Sequence, residues 1–188
     1  MRLPRFLLAG VLLFAAVLLL TALFAQPPFH HAGAVAFAVF TPLWLTVTVV
    51  NAALGVFSAG YRPREEALVA LPVFGVPALV AGLAWWFAGD RLITSARLPF
   101  LLLAGVCLWA AIALLAALMV PSGALHFAAA VFVPLWTMLM IANLLIGVVV
   151  ADYSVAEELP ILFLNLVPPL LPALAAPTLT RRLPTRRS

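Results

Sequence analysis

Four of the six acidic residues in this chain form two adjacent pairs in matching contexts: Tyr61, Glu65 and Glu66 recur as Tyr153, Glu157 and Glu158. Carboxylates grouped with a phenol can relay protons, protonate a substrate or ligate a metal. A plainer duty competes with these. An acid in the first turn of a helix is favoured by the macrodipole at ~0.3–1 kcal/mol. In the second occurrence Ser154 to Glu157 reads as a capping box; in the first, Pro63 suits the first helical position. Capping accounts for Glu157 and, less completely, Glu65. It leaves the second glutamate and the tyrosine of each copy unexplained.

Two more sets of residues recur. His31 aligns with His126, each where the second apolar segment of its copy begins. Within that segment both copies carry P-L-W-x6-N-x3-G: Pro42, Trp44, Asn51 and Gly55, then Pro134, Trp136, Asn143 and Gly147. Trp, Asn and Gly at seven- and four-residue steps share one helical face. Each proline removes a hydrogen bond to the carbonyl four residues earlier, and a freed carbonyl in lipid must face protein or a hydrated cavity. Trp44, Asn51, Trp136 and Asn143 are therefore candidates to line a midplane cavity where the two helices meet. The alternative is a packing seam, in which glycine permits close approach and Asn51 bonds Asn143 or nearby backbone, worth ~0.6–2 kcal/mol.

These residues sit in a duplicated frame. Residues 2–25 align without gaps to 97–120 with 15 of 24 identical, and 38–77 to 130–169 with 14 of 40 identical, the register shifting by three in the connection between. The chain is 66% hydrophobic and 9% charged, far from soluble composition. Its charges fall between apolar stretches long enough to cross a ~30 Å hydrocarbon core. Six spans are expected, at 6–25, 34–57, 67–88, 98–120, 125–151 and 159–177, three in each of two units (1–90 and 91–188). An odd number of spans per copy turns the second copy over. The fold expected is an all-α, polytopic membrane protein of six transmembrane helices, built as a 3+3 inverted-topology tandem repeat.

Charge placement agrees. With the N-terminus cytoplasmic, Arg2, Arg5, Arg62, Arg64, Arg181, Arg182, Arg186 and Arg187 lie inside, and Arg91 and Arg97 outside. This favours a multi-pass protein of the cell (inner) membrane with both termini cytoplasmic. The net charge of +4 then reflects topology and headgroup contact rather than nucleic-acid binding, for which no basic surface of useful size exists. Arg2 and Arg5 before an apolar run resemble a secretory signal, but the same segment recurs in mid-chain, so a retained helix is expected. Cys107, the only cysteine, lies mid-span and reads as a small buried hydrophobe. His30 has no counterpart in the second copy. Asp90 and Arg91 read as a solvated loop, and Trp85 and Trp86 as an interfacial belt.

Inverted copies would bring His31 to the face bearing Glu157 and Glu158, and His126 to the face bearing Glu65 and Glu66. Each face would then carry a His/Glu/Glu/Tyr cluster drawn from both copies, suited to proton or substrate handling more than to a metal; the plainer alternative is a set of interfacial polar residues at helix ends, wetted by headgroups. No cofactor is expected.

Pro63-Arg64-Glu65-Glu66 and, in the second copy, Glu157-Glu158 resemble the lycopene cyclase domain of bacterial and fungal carotenoid cyclases, a three-helix unit whose third helix opens with P-x-E-E. Val155 stands where that proline would be, and Val69 and Ile161 where the family has an aromatic residue. The resemblance implies tandem three-helix units and glutamates that protonate an isoprenoid end group.

Three function classes follow. A small transporter or channel is favoured by the repeat architecture. A membrane-embedded enzyme on a lipid or isoprenoid is favoured by the acid pairs, and a non-catalytic accessory subunit by the scarcity of polar groups. The partners expected are the bilayer itself, a small-molecule or isoprenoid substrate, and a second copy of the chain.

Overall fold

Every apolar stretch becomes one helix. The computed structural model describes residues 2–24, 31–88 and 97–182. Its elements are α1 (Leu3–Phe24), α2 (Ala32–Phe57), α3 (Pro63–Ala88), α4 (Arg97–Met119), α5 (Ala124–Val149) and α6 (Val155–Arg182), with no strand among the described residues. All six are long and apolar enough to cross a bilayer. The chain is an all-helical, multi-pass membrane protein. α6 continues beyond residue 177, although Pro160, Pro168, Pro169, Pro172 and Pro177 all lie within it.

The centre belongs to α1 and α4, which pack on each other more extensively than any other pair. Their buried residues explain why. Ala9, Gly10, Leu13, Phe14 and Ala16 of α1 are matched by Ala104, Gly105, Leu108, Trp109 and Ala111 of α4, and small side chains let two backbones approach closely. On one flank α2 and α3 pack together and against α1; on the other, α5 and α6 pack together and against α4. α2 and α5 share no packing seam. The midplane cavity expected where those two helices meet is therefore not formed, because α1 and α4 occupy the space between them.

Within each flank one lock recurs. Pro77 and Pro169 lack the amide hydrogen that would bond the carbonyls of Val73 and Asn165, four residues earlier. Trp44 supplies the missing donor in the first unit: its indole Nε1 donates to the Val73 carbonyl at 2.9 Å. Trp136 does the same for the Asn165 carbonyl at 3.3 Å. Both indoles are fully buried and stack on the preceding aromatic, Phe40 or Phe132, with centroids 6.0 Å apart. α1 and α4 accommodate the lock with glycine. A β-carbon on Gly10 would meet Pro77 Cγ at 2.6 Å and Trp44 Cζ2 at 2.7 Å; on Gly105 it would meet Pro169 Cγ at 2.6 Å and Trp136 Cζ2 at 2.8 Å. Trp44 and Trp136 thus belong to packing, not to a cavity.

Candidate functional site

The turn after α2 and the turn after α5 are built alike. The backbone amides of Ser58 and Ala59 donate to the Leu54 carbonyl at 3.0 and 3.2 Å, and that of Tyr61 to the Gly55 carbonyl at 3.1 Å. Val150 and Ala151 donate to Ile146 at 2.9 and 3.2 Å, and Tyr153 to Gly147 at 3.1 Å. The residue before each tyrosine is left-handed: Gly60 at φ 73° and Asp152 at φ 58°. Glycine adopts that conformation freely and aspartate is among the few other residues that tolerate it. Two different residues thus make one turn.

This turn swings the glutamate pair back over the preceding helix. Gly55 and Gly147, which cap the turn with their carbonyls, also make room for the second glutamate. A β-carbon on Gly55 would meet the Glu66 carboxyl carbon at 2.5 Å and both its oxygens at 2.8 Å. One on Gly147 would collide with Glu158 Oε1 and meet its Cδ at 2.5 Å. The N-x3-G motif is thereby explained: its glycine seats a carboxylate one helical turn from the asparagine.

Two separate clefts result, one around each glutamate pair. The first, of about 860 Å³, is lined by Asn51, Gly55, Glu65, Glu66 and Val73 of α2 and α3, by Tyr61 in the turn between them, by Arg2 just before α1 and Phe6 within it, and by 117–121 at and after the end of α4. The second, of about 800 Å³, is lined by Asn143, Glu157, Glu158, Ile161 and Asn165 of α5 and α6, by Tyr153 in the turn between them, and by Arg97 and Leu101 at the start of α4. Val73 and Asn165 each lie ten residues into their helix, about 15 Å at 1.5 Å per residue. Each cleft so extends that far along its helix from the turn.

The two glutamates of a pair differ in role. Glu157 is exposed and closes the capping box: its Oε2 accepts from the Ser154 amide at 3.0 Å and hydroxyl at 2.8 Å, while its own amide donates to Ser154 Oγ at 3.3 Å. Glu158 turns inward and is only 4% exposed. Glu65 is exposed and Glu66 half-buried. Among the described residues none of these carboxylates has an ion-pair partner.

Tyr61, Glu65, Glu66 and Asn51 are therefore brought together, as are Tyr153, Glu157, Glu158 and Asn143. Asn51 and Asn143 line different clefts, so they do not bond each other. His31 and His126 line neither cleft. Nor are they equivalent. His31 is the residue before α2, the place Gly123 holds before α5, whereas His126 lies inside the first turn of α5. The three-residue register shift falls ahead of these positions, so the alignment of the two histidines carries no structural correspondence. His30, Asp90 and Arg91 lie outside the described residues. No group of three His, Cys, Asp or Glu able to hold a metal ion occurs among those described.

Sequence reasoning missed three contributors. Arg2, just before α1, and Arg97, the first residue of α4, are identical residues in matching places, but they read as topology signals rather than cleft walls. Asn165 has no polar counterpart, since Val73 occupies its place in the first unit, so matching the copies conceals it. It is 1% exposed, and its side-chain Oδ1 has no hydrogen-bond partner. No protein-family model, curated protein or solved structure matches this chain significantly.

Proposed function

We propose that the chain is a small carrier of the cell membrane, with its two three-helix units lying antiparallel and one cleft opening at each face. The observation that carries this reading is the paired clefts themselves, each lined by Arg, Asn, Tyr and two Glu in the same relative places. The start of α1 and the end of α4 line one cleft, which supports an antiparallel central pair. Both termini then lie on the cytoplasmic side, in keeping with the arginine distribution. Between the clefts stands the close-packed α1–α4 seam, so passage requires a rearrangement and an open channel is disfavoured. Alternating access by movement of one repeat against the other is the mechanism this architecture suits.

The test compares a deletion strain, and the same strain complemented with the wild-type chain, Glu66→Gln or Glu158→Gln, by lipid and metabolite profiling on both sides of the membrane. A solute displaced across the membrane in the deletion strain, and not restored by either variant, is expected. A missing lipid product with no displaced solute would overturn the carrier. It would favour the second reading, an acid-catalysing enzyme on an isoprenoid. That reading draws support from apolar walls beside Glu66 and Glu158 and from the resemblance to the lycopene cyclase domain.

A further inference from the structure

The clefts are not copies in one respect. In the second, besides Tyr153 and Glu157 nearer the turn, the cavity is lined by Glu158 seated on Gly147, Asn143 one turn away on α5, and Asn165 two turns deeper on α6. In the first cleft the deepest position is Val73, and Glu66 is less enclosed. Burial makes this difference matter. The side chain of Glu158, 4% exposed as a residue, has no ion-pair or hydrogen-bond partner among the described residues, so its carboxylate is available to a positive charge in the cleft. An amide 1% exposed, with Oδ1 unpartnered, carries a cost that only a donor or a cation removes. Trp136 already uses the Asn165 backbone carbonyl and so fixes the residue, while its side chain stays available to the cleft.

We infer that the second cleft binds a small monovalent cation through Glu158, Asn143 and the amide oxygen of Asn165. Carboxylate and amide oxygens coordinate hard cations and accept hydrogen bonds from protonated amines. One inward carboxylate balances one charge. Glu157 is engaged by Ser154, and Arg97 gives the rim a positive charge, so a divalent ion is disfavoured. This rests on the clefts being ligand sites and names the substrate or coupling-ion class for the carrier.

The test uses the full chain in phospholipid nanodiscs, titrated by calorimetry with sodium, potassium, ammonium and methylammonium chloride against choline chloride at constant ionic strength. One site per chain is expected. Sodium binding with no amine binding identifies an inorganic ion, and the reverse a protonated amine. Asn165→Val, which installs the residue the first unit tolerates, should weaken binding roughly tenfold or more. Glu158→Gln should abolish it, and Arg62→Ala, at a residue that lines neither cleft, should leave it unchanged. The reciprocal Val73→Asn should create a second site in the first cleft. Should Asn165→Val fail to fold, Asn165→Ser replaces it. Binding unaltered by Asn165 and Glu158 variants, or no salt binding above choline, overturns the inference. Binding without solute displacement in cells would overturn the carrier and leave the cation site standing.

Discussion

The two clefts share a frame and differ in what they enclose. The turn, the seating glycine, the asparagine and the tryptophan–proline lock are the same in both units, although most residues around them differ. Inside the frame the first cleft ends on Val73 with a half-buried Glu66, whereas the second ends on Asn165 with a buried Glu158. Duplication therefore preserved what holds the backbone and left the lining to diverge. Polar groups are affordable in such a site only where the packing around them is fixed. The most buried polar pair accordingly lies between the Trp136 lock and the Gly147 seat.

The sharpest way to break the comparison is to damage the shared frame. Gly10→Val and Gly105→Val each drive a side chain into a proline ring and an indole, neither of which can move aside. Each should destabilise by about 1–3 kcal/mol or more, read as loss of folded protein in detergent by size exclusion and thermal unfolding. Comparable losses from both are expected, and tolerance of either would show that its lock is loose. Next in size, Trp44→Phe and Trp136→Phe keep an aromatic ring but strand the proline-freed carbonyl, at about 1–3 kcal/mol. The shorter Trp44 bond, 2.9 Å against 3.3 Å, makes Trp44→Phe the more costly in thermal unfolding. The smallest effect tests a difference between the units. Ser154→Ala removes the capping box and should cost roughly 1 kcal/mol, whereas Arg62→Ala at the equivalent place, which has no side-chain cap, should be nearly neutral.

Much of the frame was legible in the sequence, because it depends on period and composition. Six apolar stretches gave six helices, and the Y-x3-E-E and N-x3-G repeats marked residues that do come together. The sequence did not show which helices take the centre. Apolar periodicity is weak in chains surrounded by lipid, where the outer face is as apolar as the inner. The clue was the high identity between 2–25 and 97–120, which reflects two helices packed on each other through matching small residues. The role of tryptophan was obscured because its partner is a backbone carbonyl freed by a proline 33 residues later in each copy (Trp44 to Pro77, Trp136 to Pro169). The two histidines align across a loop of unequal length, which does not fix their position relative to the helix start, and they line neither cleft. Asn165 escaped because a search for repeated residues cannot find one that occurs once.

The antiparallel placement of the two clefts is tested most directly by labelling from each side of the membrane. Ala59 and Ala151 are exposed and occupy equivalent places in the two cleft-forming turns. Ala59→Cys and Ala151→Cys, each in a Cys107→Ala background, would be treated with a membrane-impermeant maleimide in intact spheroplasts and in inside-out vesicles. Cysteine at 59 should react only in inside-out vesicles and cysteine at 151 only in spheroplasts. Reaction of both from the same side would contradict the antiparallel arrangement.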